Sequence, residues 1–193
     1  VRLGGTGDVH GAMVKAVLGQ VVTTKEAKRS LASLRRTHGH VAPGPRSELR
    51  TVPSPARLAS MSYEEFHSHG VERSRASILI EVSRRAHRLA EALEMGRAEA
   101  YSRLQAIRGV GVWTASLVMG AAWGDKDAVP IGDYHMPNSV AWTLAGEDRG
   151  TDERMIELLE PFRPERRRIV LAIKQSGLHA PRYGPRTATR THL

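Results

Sequence analysis

The sequence predicts an all-α fold, and two observations carry this prediction. No stretch alternates polar and apolar residues with a period of two over several β-branched positions, as a half-buried strand would. Apolar residues instead recur three and four positions apart, as they do on the inward face of an amphipathic helix. The 193 residues are enough for one good core, or for two small lobes that share a cleft.

The composition favours a polyanionic partner. The chain has 29 Lys and Arg residues against 20 Asp and Glu residues, which gives a formal net charge of +9. This charge suits nucleic acid, and charge alone would also suit an anionic membrane surface. No apolar run approaches the length of a membrane span, and the chain shows no secretory signal. We therefore expect a cytoplasmic protein that does not act at a membrane.

Cysteine is absent from the chain. Disulfides, thiolate zinc sites and cysteine-ligated iron–sulfur clusters are therefore excluded. We expect the protein to work without a cofactor of this kind.

Five helices are predicted in the first half of the chain. Thr23 or Thr24 can cap the second helix, and Pro55 suits the first position of the third. Ser62 and Glu65 fit a capping box for the fourth. The predicted helices cover 9–20, 24–36, a short stretch from 55, a short stretch from 63 to 70, and 72–95, with a loop over 38–55.

The fifth of these helices is predicted to be the longest. Its apolar residues keep a single inward stripe, and Gly96 ends it. The stripe consists of Leu79, Val82, Ala86, Leu89 and Leu93.

The second helix has a strongly basic outer face. This face is either a DNA-facing patch or an ordinary solvated surface, and a solvated surface is the default for such a charge run. Its cations are Lys25, Lys28, Arg29, Arg35 and Arg36.

A helix, a tight turn and a second helix follow. Ala100, Leu104 and Ile107 share one helix face, and the turn that comes next contains Gly109 and Gly111. Glycines supply backbone conformations that other residues avoid. A glycine turn that opens a helix also leaves N–H groups at the positive end of the helix dipole, where phosphate binds. In a chain this basic, we expect that phosphate to belong to DNA.

The rest of the chain is predicted to be helical with a basic tail. The predicted helices are 112–123, a helix marked by Met136, Val140 and Leu144, 152–159, and 164–176, with an irregular connection over 124–132. The tail, 178–193, contains Arg182, Arg186 and Arg190 and no acid. The chain begins at Val1, and we expect an upstream segment to be missing.

Two segments resemble the helix-hairpin-helix DNA glycosylase superfamily. The run Leu-Gln-Ala-Ile-Arg-Gly-Val-Gly-Val-Trp-Thr-Ala, from Leu104 to Ala115, resembles its hairpin. The run Val-Pro-Ile-Gly-Asp-Tyr-His, from Val129 to His135, resembles its catalytic-aspartate segment at the family's distance from the hairpin. The branch resembled is the 3-methyladenine DNA glycosylase II type. The resemblance implies a two-lobed helical domain over 1–177, with the hairpin at 98–123 and the active-site cleft between the lobes.

The resemblance makes Asp133 the candidate catalytic residue. It also implies that Asp133 lies at the mouth of the cleft, close to the Trp113 ring edge and across from Gln20. Breaking a base–sugar bond builds positive charge on the deoxyribose, and a nearby carboxylate stabilises that charge and can orient a water molecule. The alternative is that Asp133 only caps the following helix, a position that aspartate favours.

Trp113 bears on the type of reaction. Superfamily members that also cut the DNA strand have a lysine at this position, which forms a Schiff base with the sugar. Tryptophan cannot attack, and it offers a flat wall on which an electron-poor alkylated purine can stack. The implied enzyme is monofunctional. The alternative is that Trp113 is a core residue that packs the two lobes, and one face of the ring could pack while the other lines the pocket. The family often has a tyrosine one turn later, where this chain has Leu117, so the identity of the damaged base stays open.

The resemblance also implies the remaining base-pocket and wedge residues. Gln20 and Tyr134 would lie at the flipped base together with Trp113 and Leu117. Val21 follows a Leu-Gly-Gln loop and would be the wedge that fills the space left in the DNA stack. The alternative for Val21 is packing in the core.

The hairpin is expected to hold the DNA backbone. Gly109, Gly111 and Thr114 would bind phosphate through N–H groups, and Arg108 adds a charge beside it. In relatives, hairpin carbonyls also hold a monovalent cation, Na⁺ or K⁺. The corresponding carbonyls here belong to Gln105, Ile107 and Val110.

The sequence therefore predicts a monofunctional glycosylase of alkylated purines in double-stranded DNA, a hydrolase of N-glycosyl bonds without lyase activity. We expect a monomer associated with the nucleoid through DNA. One alternative is a glycosylase for an oxidised or deaminated base. Another is a catalytically inactive helix-hairpin-helix module that only binds DNA.

Overall fold

The computed structural model of the protein describes residues 3–178 and 180–181, and the predicted all-α class is confirmed. Within these residues the only β-type pairing is one isolated bridge between Val41 and Arg50. Eleven α-helices occur in the described part of the chain: α1 Val9–Leu18, α2 Thr24–His38, α3 Pro55–Ser60, α4 Tyr63–Ser68, α5 Arg73–Arg84, α6 Ala86–Ala90, α7 Arg97–Gln105, α8 Val112–Val118, α9 Met136–Ala145, α10 Asp152–Leu159 and α11 Arg166–Ser176.

The described residues fall into two compact units, one of residues 8–110 and the other of residues 3–7 and 111 onward. Each unit contains its own buried apolar cluster. No described helix is both long enough and apolar enough to cross a membrane. Arg182, Arg186 and Arg190, in the predicted basic tail, lie outside the described residues.

Three helices of the unit of residues 8–110, α2, α3 and α4, begin where capping residues predicted them. The Thr23 hydroxyl and the Glu26 carboxylate form a reciprocal capping box at α2. Ser62 and Glu65 form a second one at α4. One buried apolar cluster of this unit joins side chains from α1 through α5 and includes Val17, Leu18, Leu34, Leu58, Phe66 and Leu79.

The predicted long helix over 72–95 is wrong in its second half. The chain bends at Arg85, where φ is −102° and ψ is 12°, and it continues as α6 and then as a 3₁₀ turn over Glu91–Leu93. A 3₁₀ turn has three residues per turn, so Ala92 follows Leu89 into the core. Leu93, predicted to point inward, is 36% exposed. No glycine or proline marks the bend in the sequence.

The second unit has a core formed by α9, α10, α11 and the connection before α9. Its buried residues are Val129, Met136, Val140, Met155, Leu159, Val170 and Ile173. Helix α8 continues as a π-helical turn over Met119–Trp123. The tryptophans Trp123 and Trp142 of this unit are half-buried.

Residues 3–7 pack on this π-helical turn. Because a π-turn shifts the backbone hydrogen bonds by one residue, carbonyls near its end need other donors. Thr6 N–H donates to Ala121 O (2.9 Å), and Gly7 N–H donates to Ala122 O (3.1 Å). A Cβ at Gly5 would lie 2.5 Å from Ala122 O, so only glycine fits there. The end of α8 is thereby held by the start of the chain.

A buried ion pair fixes the irregular connection that precedes α9. Arg166, at the start of α11, donates from Nε to Asp127 Oδ1 (2.7 Å) and from Nη2 to Asp127 Oδ2 (2.6 Å). The two side chains are only 7% and 13% exposed. Burial alone would raise the pKa of Asp127, but the hydrogen bonds and charge of Arg166 outweigh it, and the pKa lies below its ordinary value.

We predict that Arg166→Met lowers the free energy of unfolding by about 3–5 kcal/mol, because it leaves the Asp127 carboxylate buried without its partner. The folded-state pKa of Asp127 is lowered, so the pair stabilises the fold above the ordinary carboxyl range. Its contribution is lost as the pH falls below about 4. Urea unfolding at pH 7 and at pH 3 measures both effects.

Lys174→Met is the control for this prediction, because Lys174 is an exposed cation on the same helix. Equal unfolding midpoints for the two variants at pH 7 would contradict the role given to Arg166.

Candidate active site

The segment before α9 presents Asp133 at the end of a turn. Asp133 N–H donates to Pro130 O (3.1 Å), and Gly132 has a φ of 87°. Gly132 N–H also donates to Asp152 Oδ2 (2.9 Å), at the start of α10. Val129 and Pro130 are buried. The backbone that carries Asp133 is therefore fixed from both sides, and Asp152 is a positioning residue that the sequence did not indicate.

The Asp133 carboxylate accepts three N–H groups. Oδ1 accepts from the backbone of His135 (2.9 Å) and of Met136 (3.0 Å), at the first turn of α9. Oδ2 accepts from Trp113 Nε1 at 2.9 Å. Asp133 is not the N-cap of α9, which is His135; its first oxygen closes the turn that leads into that helix, while the other oxygen faces the indole. The predicted proximity of Asp133 to the Trp113 ring edge is confirmed.

Trp113 is the second residue of α8 and is half-buried. Its indole N–H is held by Asp133, and its Cβ lies 3.9 Å from the position that a side chain at Gly132 would occupy. Leu117, one turn further along α8, is also half-buried.

Tyr134 is not enclosed. Its side chain is 86% exposed, and its ring stands edge-on to that of His135 with the centroids 4.8 Å apart. Its predicted place at the base pocket stays a prediction.

The turn after α7 exposes the backbone that was predicted to bind phosphate. Val110 N–H donates to Ile107 O (3.0 Å), and Gly109 adopts a φ of 88°. Arg108 and Gly109 are exposed. A Cβ at Gly109 would also lie 2.5 Å from Ile78 Cδ1.

Helix α8 begins beyond this turn. Its N-cap, Gly111, has extended backbone and forms no side-chain cap. Gly111 and Val112 are exposed, whereas Thr114 as a whole is only 2% exposed. The phosphate contact predicted for Thr114 stays a prediction.

Gln20 and Val21 lie beside the hairpin turn. Gln20 Nε2 donates to Gly109 O at 2.9 Å, a contact that no sequence pattern indicated. Val21 is 99% exposed and has a φ of 53°, the only non-glycine residue with positive φ in the described chain. Such a conformation is unfavourable for a β-branched side chain. The core-packing alternative for Val21 is therefore wrong.

The carbonyl groups proposed for a monovalent cation lie at and after the end of α7. Gln105 is the last residue of that helix, and the last carbonyls of a helix lack intrahelical donors. Ile107 O accepts the Val110 N–H and keeps a second lone pair. Oxygen atoms at the negative end of a helix dipole suit a cation. The ion itself stays a prediction.

Comparison with known proteins identifies the family. The family model described as HhH-GPD superfamily base excision DNA repair protein matches residues 14–164. The chain therefore belongs to the HhH-GPD superfamily of base excision DNA repair proteins.

One curated relative is similar in sequence. DNA-3-methyladenine glycosylase 2 of Escherichia coli is 31% identical over 138 residues, which are 69% of this chain and 48% of that protein. The chain thus spans about half the length of this curated relative.

Two solved structures share the fold. The 3-methyladenine DNA glycosylase of Archaeoglobus fulgidus superposes with a TM-score of 0.77 at 23% identity, over 86% of this chain and 57% of that one. The Schizosaccharomyces pombe enzyme of the same name, in complex with abasic DNA, superposes with a TM-score of 0.76 at 18% identity. The superposition covers 91% of this chain and 84% of that one.

The two glycines of the hairpin turn provide a matched test of the local geometry. Gly109→Ala is predicted to lower the free energy of unfolding by about 1–2 kcal/mol, because alanine at positive φ is strained. Gly111→Ala should change it by less than about 0.5 kcal/mol, since Gly111 has negative φ and open space around it. Urea unfolding of both variants measures this. Equal losses would contradict the described turn.

Proposed function

We propose that this protein is a DNA glycosylase that removes alkylated purines of the 3-methyladenine type from double-stranded DNA. The observation that carries the proposal is the 2.9 Å hydrogen bond from Trp113 Nε1 to Asp133 Oδ2. It joins a flat aromatic surface to a carboxylate. The damaged base can stack on the aromatic surface, and the carboxylate can stabilise the positive charge that develops on the sugar. The E. coli relative carries this activity in its name.

In the proposed reaction, the bond between the sugar carbon C1′ and the base nitrogen breaks. The base leaves with the electron pair, and positive charge develops on the deoxyribose. Asp133 stabilises that charge and orients a water molecule. The water oxygen bonds to C1′, and its proton passes to the carboxylate. The products are a free base and an abasic site.

The surroundings of Asp133 suit this role. Its carboxylate is fixed by the N–H groups of Trp113, His135 and Met136. A group held in this way does not have to reorganise when charge develops beside it, which is the main requirement of electrostatic catalysis.

Trp113 serves as the stacking wall. The bond to Asp133 fixes the plane of the indole, and an alkylated purine, which is electron-poor, stacks well on that electron-rich ring. An indole cannot form a Schiff base with the sugar. The enzyme is therefore monofunctional and leaves the DNA strand intact.

The base reaches the site only after it leaves the DNA stack. Val21 fills the vacated space in this proposal, and its exposure and unfavourable φ support that role. Gln20 ties the segment that carries Val21 to Gly109 in the hairpin turn. The segment of the wedge is thus tied to Gly109, one of the residues that would receive phosphate together with Arg108, Gly111 and Thr114.

The hairpin holds a monovalent cation in this proposal, through the carbonyls of Gln105, Ile107 and Val110. Bound there, Na⁺ or K⁺ would supply a positive charge beside the DNA phosphate. No other cofactor takes part. The protein acts as a monomer in the cytoplasm, associated with the nucleoid through DNA.

Asp133→Asn tests the proposal. We expect base release from duplex DNA with alkylated purines to fall by roughly 10²–10⁴-fold, because the charge opposite the sugar is lost. Asparagine keeps one oxygen for the first turn of α9, so folding should be retained. The measurement is single-turnover release of free base, with strand breaks assayed separately.

Duplex binding by the Asp133→Asn variant is the control for folding. We expect that binding to match the wild type, and neither protein should break strands above background. Base release by the variant at the wild-type rate would refute Asp133 as the catalytic residue. Strand cleavage by the wild type would refute the monofunctional mechanism.

A further inference from the structure

Helix α2 begins three residues after Val21 and carries a basic surface that the reaction does not use. Thr24 is its first residue, and Thr23 caps it. We define the α2 basic face as four exposed cations: Lys25, Lys28, Arg29 and Arg36.

The spacing places these cations on one side of the helix. Successive residues rotate by about 100°, so Lys25, Arg29 and Arg36 fall within about 40° of one another. Lys28 lies roughly 60° from Lys25. The distance from Lys25 to Arg36 along the axis is about 16 Å, enough to follow several phosphates of one DNA strand.

The charge of this face is not neutralised within the described chain. None of the four cations forms an ion pair with another described residue. The only acid of α2 is Glu26, and its carboxylate is bound to the Thr23 backbone and hydroxyl. Other arginines of the same unit, such as Arg57 and Arg103, are paired with glutamates.

The position of the face relative to the wedge indicates its partner. Val21 is fully exposed and is tied through Gln20 to the hairpin turn. Any duplex that receives Val21 between its bases therefore passes beside the start of α2. A cation stripe that begins four residues after Val21 would then meet the phosphate backbone next to the lesion.

We propose that the α2 basic face is a second grip on the DNA backbone, separate from the hairpin, that binds duplex phosphates beside the wedge. This inference rests on the proposed function for the place of Val21. Lysine and arginine side chains contact phosphates without reading sequence. The grip therefore strengthens binding to any duplex, damaged or not, and takes no part in the chemical step.

The test is the salt dependence of binding. The variant Lys25→Gln/Arg29→Gln/Arg36→Gln is compared with the wild type on an undamaged duplex, by fluorescence anisotropy at several KCl concentrations. Each lost phosphate contact lowers the slope of log K against log salt by about 0.9. We expect the slope to fall by about 2–3 and the affinity near 0.1 M salt to fall roughly 10- to 100-fold.

Two matched variants control for net charge and for folding. Lys15→Gln/Arg84→Gln/Lys174→Gln removes the same charge from exposed positions elsewhere, and its slope should stay close to that of the wild type. Lys25→Arg/Arg29→Lys/Arg36→Lys keeps the charge and should keep the wild-type slope.

A slope for the first variant equal to that of the charge-matched control would overturn the inference, and so would absence of duplex binding by the wild type. A larger loss of affinity for RNA than for duplex DNA would also overturn it. Base release is measured in parallel, and the charge-matched control variant should match the wild type. A wild type that binds DNA with the expected slopes but releases no base would refute the proposed function and leave the second grip standing.

Discussion

The candidate site depends on the way in which the Asp133 carboxylate is held. One oxygen completes the first turn of α9, and the other accepts the Trp113 indole N–H at 2.9 Å. The two functional side chains therefore fix each other. Three further contacts of the same unit hold the segments that carry these two side chains. The Arg166–Asp127 pair holds the connection before Asp133, Asp152 holds Gly132, and residues 3–7 hold the end of α8.

Two residues with positive φ in the unit of residues 8–110 belong to segments that a hydrogen bond joins at the hairpin turn. Val21 and Gly109 both have positive φ, and Gln20 links their segments. Strained residues persist only where the surrounding structure holds them. Val21 is held on one side by the hydrogen bond from Gln20 to Gly109 and on the other by helix α2, which Thr23 caps. The proposed roles of wedge and phosphate site both need exposed backbone or side chain, and these positions are exposed.

The sequence allowed the fold class, most helix starts and the pairing of Trp113 with Asp133 to be predicted. These depend on local signals: apolar spacing, capping residues, glycines and two short motifs. The bend at Arg85 and the inward turn of Ala92 were missed, because neither glycine nor proline marks them. The Gln20–Gly109 and Asp152–Gly132 bonds were also missed. They join residues distant in sequence, and a polar side chain gives no local sign of its partner.

The most direct test of the account is a crystal structure of the protein with duplex DNA that contains an uncleavable abasic-site analogue. The account predicts that the Asp133 carboxylate lies beside C1′ of the extrahelical sugar, with the Trp113 ring facing the space of the missing base and their mutual hydrogen bond intact. A complex in which the sugar stays within the duplex, or lies away from both side chains, would contradict the claim that this pair forms the active site.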